Sequence, residues 1–536
     1  MLGSRTAIAL VALALALAPV ARAEPVAADG PSPDGCRDVL LTGLGADADL
    51  LRLAGLAGTA PPTSEFLRRA GARTARLCDG EPVGWTDRLP SAPTGRIAAA
   101  LLPARLDTVY STRYPSAAND GLLWQGRGLG ARASAGVYAR AGVLSAALAP
   151  ELAWQQNAWF DTVPSGRPGL PFSNPWYGPA FDVPQRFGAG PFWSASPGQS
   201  YLRVDAFGVG AGVSTESRWL GPGARTSILL TDAGPGFPHA FLGTSAPVDF
   251  GIGGVEVLAL WGRLDRSRYG GDPSHPWLTA LALGWEPRWL PEFRVGAARA
   301  FVETWKSLRS DRLLSILESP SKPQVAGGDN PEDNQVATLW FRWVLPESAL
   351  ELYGEWGKDD FPASTGALLR ETERTQAWLL GLQKLGRLGG RRVRVQAELA
   401  KFAGGGHAFY QHGGGLGWTN GGQPLGSYAG PGGIVSALGV DVLAPWGRVG
   451  GFVERLERNT TVFDERIAPL PERRTDRDTE LTAGLRGVAL AGLVEVTWEA
   501  AGGYRWNRDF GRNEPSARLA LSFAAPAARA SATTSR

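Results

Sequence analysis

The stretch richest in chemistry in this 536-residue chain is "KFAGGGHAFYQHGGGLGWTNGGQPLGSYAGPGG", residues 401–433. It sets His407, Tyr410, Gln411, His412, Trp418, Asn420, Gln423 and Tyr428 into a glycine-rich run. Flat aromatic faces stack on C–H groups, and side-chain amides both donate to and accept from hydroxyls. Together these groups suit a polyol. Tyr410, Trp418, Asn420, Gln423 and Tyr428 are therefore the candidate carbohydrate-binding set. The same residue types serve equally well to pack a long loop onto its own scaffold.

Other chemistry is sparse. The four histidines, His239, His275, His407 and His412, match no zinc spacing, so no metal is expected. There is no Gly-x-Ser-x-Gly elbow. "GVGAGVS" (208–214) lacks the strand–helix context of a nucleotide loop. Asp359 and Asp360 read as solvated loop charges. No nucleophile and base stand together, so neither an enzyme nor a cofactor is expected. A formal net charge of +3 is too near neutral to argue for nucleic acid. Residues 201–251 mix strands with a Gly/Pro-rich segment that holds Arg203, Asp205, Glu216, Arg218, Trp219 and His239. Those charges read as a structural polar network inside whatever the strands enclose.

The elements that must position these residues have period two. In "RRVRVQAELA" (391–400), Val393, Val395, Ala397 and Leu399 share one face, and Arg392, Arg394, Gln396 and Glu398 the other. "LVEVTWEA" (493–500), "ALELYGEW" (349–356) and "ATLWFRWV" (337–344) alternate in the same way, while "RVGGFVERLE" (448–457) does not alternate cleanly. Tight connections, "APWG" (444–447) and "ALAG" (489–492), alternate with longer loops at about 402–433, 459–478 and 506–516. Short turns on one side and long loops on the other are the layout of an outer-membrane barrel, and the count from residue 105 onward is about eighteen strands. The expected fold is thus mainly β, a transmembrane antiparallel up-and-down barrel over 105–523. An unpaired backbone group in lipid costs several kcal/mol, which closure of the sheet avoids. A soluble sheet with one wet face gives the same alternation, but it would need a cover for its apolar side. The last strand, "ARLALSF" (517–523), ends in an aromatic, as in the assembly signal of bacterial outer-membrane proteins. The barrel assembly machinery is therefore an expected partner, and 524–536 is expected to be a flexible tail.

The N-terminus reads as an exported leader. Arg5, an apolar run from Ala7 to Leu17 and the Ala21-Arg22-Ala23 site predict a signal peptide over 1–23. Residues 24–104 are expected to form a small helical unit, with helices in "DADLLRLAGLAG" (47–58), "TSEFLRRAGA" (63–72) and "TGRIAAALL" (94–102). Cys36 and Cys78 are the two cysteines. An oxidising compartment favours a disulfide between them, with two free thiols as the alternative.

The segment "STESRWLGPG" followed by "SILLTDAGPGFPHAFLGTSAPV" resembles the capsule assembly family called Wzi. So do "GRLDRSRY" (262–269), "RETERTQAWLLGLQ" (370–383), "YQHGGGLGWTNGGQPLGSY", "YPSAANDGLLWQGRG" (114–128) and "LAPELAWQQNAWF" (148–160). The resemblance covers most of 105–523. Leu220 departs from it, standing where the family often has a second Trp. The resemblance implies an eighteen-stranded outer-membrane barrel closed at one end by a periplasmic helical bundle. It implies a lectin that holds capsular or other exopolysaccharide at the cell surface, in contact with outer-membrane lipid and expected to stand as a monomer. A passive porin with an open polar lumen is the rival expectation.

Overall fold

The computed structural model describes residues 35–61, 65–116, 118–271, 274–304, 333–360, 365–370, 375–402, 409–470, 476–491 and 494–525. The expected signal peptide, the tail beyond 525 and His407 lie outside the described residues. Among the described residues, twenty-one strand segments close into one antiparallel barrel. Three wall strands are each split into two segments, so the wall has eighteen strands. Alternation builds it. Along Asp333–Leu345, Leu339 and Trp343 point outward while Thr338, Trp340 and Arg342 are buried inside. Along Arg391–Lys401, Leu399 faces out and Arg394, Gln396 and Glu398 face in. The untidy strand Gly447–Arg458 is explained by Phe452, which points inward and lies under the guanidinium groups of Arg225 and Arg486 at 5.6 and 5.8 Å.

Two aromatic belts mark the membrane surfaces. Trp285 with Trp289, and Phe293 with Trp343, sit at the short-turn end. Trp154 with Trp193, and Tyr504 with Trp506, sit at the long-loop end. Trp277 and Trp285 lie on the single strand Trp277–Pro287. Eight residues at a rise of ~3.3 Å, tilted by ~40°, span about 20 Å of membrane, comparable with an apolar band of about 25 Å.

The structure corrects three expectations. The N-terminal unit is not a helical bundle: among its described residues it has one α-helix, Ala46–Leu56, beside a hairpin of Cys36–Leu41 with Arg73–Cys78. Cys36 and Cys78 face each other in that hairpin and are disulfide-bonded, with S–S at 2.07 Å. The stretch 94–102 enters the first wall strand, Ile97–Ser111, so the wall starts before residue 105. Its alanines and leucines favour a helix alone, but pairing with Gly128–Ala141 satisfies every second backbone group and wins. Lastly, 506–516 is not a long loop. Strands Val494–Arg508 and Arg512–Ala524 leave only a three-residue turn between them.

The N-terminal unit plugs the lumen from the turn end by charge. Arg52, on the helix, donates to Glu351 on the wall at 2.5 Å and to the Pro222 carbonyl at 2.8 Å. Asp49 accepts from Arg394 at 2.7 Å and from Arg448 at 2.6 Å. Burial alone would raise the Asp49 pKa, yet these two cations hold its carboxyl well below the usual carboxylate range. Arg394 also pairs with Asp441 at 2.6 Å. Arg394→Ala removes the cation that Asp49 and Asp441 share and leaves each with one, Arg448 and Arg486 respectively, at a cost of about 3 kcal/mol, the low end for a broken buried pair. The variant is expected to unfold at a lower temperature in a gel-shift assay. Limited proteolysis is also expected to cut faster within residues 35–96.

Candidate functional site

The lumen is filled by the chain's own backbone. After Val209–Ser214 the chain leaves the wall and returns only at His239–Thr244. Inside, Arg218–Leu220 pairs with Leu67–Arg69 of the plug. Wall carboxylates hold the rest. Glu398 accepts the backbone N–H groups of Ala224 at 2.7 Å and Thr226 at 2.9 Å, and the Tyr353 hydroxyl at 2.8 Å. Glu355 accepts from the Ser227 hydroxyl at 2.7 Å and from the Ile228 N–H at 3.0 Å. The turn requires Gly221: its φ is +123°, and a Cβ there would lie 1.9 Å from Ser227 Oγ.

The five residues expected to hold sugar are found inside this assembly. Trp418 is 0% exposed and donates its indole N–H to the Leu229 carbonyl at 2.7 Å. Tyr410 is buried, donates to the Ile228 carbonyl, and accepts the Ser427 N–H at 3.1 Å. Burial pushes its hydroxyl well above the ordinary tyrosine range. Asn420 donates to Pro235 O at 3.1 Å and accepts from Asp265 N at 2.9 Å. Gln423 donates to Gly121 O at 3.1 Å. Tyr428 donates to Glu454 at 3.0 Å. His412 is buried, with its ring against the Gly413 carbonyl. Tyr410, Trp418 and Asn420 thus bond the lumen segment 228–235, while Gln423 bonds Gly121 and Tyr428 bonds Glu454 of the wall. Aromatics and amides that fit sugar hydroxyls fit backbone carbonyls as well.

The predicted polar network divides in two. Arg203 and Asp205 form one local pair at 2.8 Å. Glu216, Trp219 and His239 belong to a deeper group centred on Arg218. Arg218 donates to His239 Nε2 at 3.1 Å, and the other ring nitrogen meets the Phe237 carbonyl at 2.7 Å, so the proton sits on Nδ1. Glu216 lies 3.5 Å from Arg218 and 3.9 Å from Arg69. Trp219 is covered by Arg68, 4.7 Å above its ring.

The long-loop rim carries groups that the sequence reading did not single out. Trp159 lies four residues past the last wall pair of its strand, Gln155↔Phe192, and is 58% exposed. One face of its ring rests on Arg186, 4.5 Å away and itself 0% exposed. Arg186 donates to the Asn157 carbonyl at 2.6 Å, and Arg127 donates to the Trp159 carbonyl. Beside it, Arg268 lies over Tyr269 at 5.0 Å, the Tyr269 ring meets that of Phe187 at 5.8 Å, and His275 meets Asp265 at 2.8 Å. The arrangement offers a braced aromatic platform flanked by charges. A signal was present in "LAPELAWQQNAWF", where a second Trp follows the period-two run, but spacing alone does not say which Trp belongs to the membrane belt.

The profile of the family described as capsule assembly protein Wzi matches residues 127–485. No curated protein matches the sequence. Among solved structures, the chain is similar to Wzi of Escherichia coli, described as an outer-membrane protein of group 1 capsule assembly and a carbohydrate-binding β-barrel. That likeness has a TM-score of 0.53 at 15% identity and covers 79% of this chain and 84% of that one. Pseudomonas aeruginosa OccK7 is more distant, with a TM-score of 0.40 at 12% identity over 80% of this chain and 99% of that one.

Two outcomes follow from this geometry. Trp418→Ala opens a cavity at a fully buried site and is expected to cost about 3–5 kcal/mol, read as a lower unfolding temperature in detergent. The second concerns Asp232, on the lumen segment. Burial pushes its carboxyl up to about 7; Arg132 opposes the rise, while Glu151 and Asp120 add to it. Folding favours the protonated form, so stability is expected to fall as pH rises from the unfolded value near 4 through about 7. Asp232→Asn removes that slope. An unchanged slope of unfolding temperature against pH in the variant would assign it to another group.

Proposed function

The chain belongs to the capsule assembly Wzi family, and from that premise we propose that it holds surface polysaccharide on the long-loop rim of an outer-membrane barrel. The observation that carries this reading is the occupied lumen. Plug, inward segment and loop 409–433 occupy its core, leaving a space of about 1650 Å³ between plug and wall, so the rim is the surface open to a long polymer. The reading is one of binding without bond-making. Trp159 serves as a stacking platform, Arg186 braces it, and the charged pairs at Arg268 and His275 supply polar contacts. Tyr410, Trp418, Asn420, Gln423 and Tyr428 act beneath, fixing the loop that shapes the rim. Each contact with sugar is modest; a repeating polymer meets many copies in one membrane, so avidity sets retention. Outer-membrane lipid surrounds the wall, the barrel assembly machinery inserts it, and the closed cylinder stands as a monomer.

Trp159→Ala is expected to weaken binding of the host's own surface polysaccharide at least tenfold in a pull-down, with barrel abundance and heat-modified mobility unchanged. Undiminished binding would remove this platform from the site. A passive porin would instead show a steady open current in a planar bilayer. The filled lumen predicts silence for the full-length protein.

A further inference from the structure

The ion pairs that seat the plug reach one side of the wall: Arg52 meets Glu351, Asp49 meets Arg394 and Arg448, and Glu81 meets Arg392. Elsewhere, between the plug and strands Ile97–Ser111, Gly128–Ala141 and Val494–Arg508, lies the space of about 1650 Å³. Its mouth is at the turn end, where Asp87, Arg88 and Ser91 line it and are exposed. The lining continues up the wall from Ile97 past Arg105 to Arg132. It includes Asn119 and, from the inward segment, Trp219 and Asp232. The wall beside it is paired without a break along the row Glu495, Ala524, Arg105, Ser134, Glu151 and Ser196, so the way in is from the turn side.

The fold leaves polar groups of this lining unmet. Trp219 is 4% exposed, and among the described residues its indole N–H has no hydrogen-bond partner. The Asn119 amide donates to the Arg225 carbonyl at 2.6 Å, but its own oxygen accepts nothing, and neither does Asp232 Oδ1. A buried donor or acceptor costs free energy until a guest meets it. Charge is unbalanced here too. The carboxyls of Asp120 and Glu151 stand near that of Asp232. The guanidinium that opposes them, Arg132, already donates to Asp107 at 2.8 Å and to the Asp120 carbonyl at 3.0 Å. Burial outweighs it and pushes the Asp232 carboxyl up to about 7, a rise that a second cation would reverse. Nearer the turn end both signs line the space, Arg88 and Arg105 together with Asp47, Asp87 and Glu495.

We propose that this space binds the amino end of a short peptide that enters from the turn side. The terminal ammonium meets Asp232 and the Asn119 oxygen, and the first peptide carbonyl accepts the Trp219 N–H. A peptide offers both in adjacent groups, N–H donors on the ammonium and an acceptor on the next carbonyl. The free carboxylate at its other end lies among the guanidinium groups nearer the mouth. Two other guests fit less of the lining. A neutral sugar has hydroxyls for Trp219 and Asn119 but brings no charge to Asp232. A polyamine neutralises Asp232 but sets a second cation against Arg88 and Arg105. The rim plays no part in this site, so the glycan-binding reading and the peptide site stand or fall separately.

The test is isothermal titration of the full-length protein in detergent with tetraalanine. Binding is expected, and capping the amine, as in N-acetyl-tetraalanine, is expected to weaken it by about tenfold or more. Asp232→Asn, with folding confirmed by heat-modified mobility, is expected to give a similar loss with the uncapped peptide. Trp219→Phe, which keeps a ring but removes the N–H, is expected to lose about threefold. Absence of binding at millimolar peptide, equal binding of the capped peptide, or no loss in Asp232→Asn each overturns the proposal. A neutral tetrasaccharide of N-acetylglucosamine that binds as tightly overturns the peptide assignment. Binding seen only after residues 526–536 are removed gives the space to the chain's own C-terminal segment and also overturns it. Should Asp232→Asn not fold, Asn119→Leu removes the neighbouring acceptor and is expected to show the same direction of loss; unchanged affinity there overturns the site.

Discussion

A buried inward-facing charge must find its partner inside the barrel, and the rest of this structure depends on that constraint. The outside of the wall can be covered by lipid at no cost to its side chains. The inside cannot be left to itself: Arg394, Glu398, Glu351 and Glu355 are all nearly or fully buried. A carboxylate stripped of water and left alone is far more costly than one that is paired. The wall meets the demand in two ways. Its guanidinium groups take carboxylates, including Asp49 from the plug. Its spare carboxylates, Glu398 and Glu355, take backbone N–H groups from the inward segment. Plug and inward segment are therefore the counter-ions and donors of the cylinder, not additions to a finished channel.

That solution determines what is left for function. With the lumen committed, the accessible chemistry moves to the rim, where backbone already fixed from below presents a few side chains. Arg186 shows the connection. It is fully buried, held by the Asn157 carbonyl, and supports an exposed indole. Rigid support of this kind means that the platform would not have to be ordered when a ligand docks, which lowers the entropy such docking would cost.

How much of this was legible follows from what each signal reports. Period two reports a wall with two unlike faces, and "RRVRVQAELA" carried that message in full. It does not report what meets the inner face, so Asp49 and the amides of 224–228 were invisible as partners. Ile97–Leu102 reads as helix because local propensity describes an isolated segment, while its pairing with Gly136–Ala141 is non-local. "NRDFGRNEP" reads as loop because it is polar, yet polar residues at the top of a barrel strand stand in water and can stay in the ladder. The aromatic and amide residues of 410–428 lie in one loop that folds into the barrel. Their target was not legible, since a peptide carbonyl and a sugar hydroxyl ask for the same donors.

The seating of the plug also orders events in time. Asp49 meets Arg394 across 345 residues of chain, and Arg52 meets Glu351 across 299. The hairpin bridged by Cys36 and Cys78 closes over a separation of only 42. The N-terminal unit can close its own disulfide locally, but its charged helix has no mate until strands two-thirds of the way along the chain are in place. Docking of the plug therefore cannot precede the pairing of the strands that carry Glu351 and Arg394.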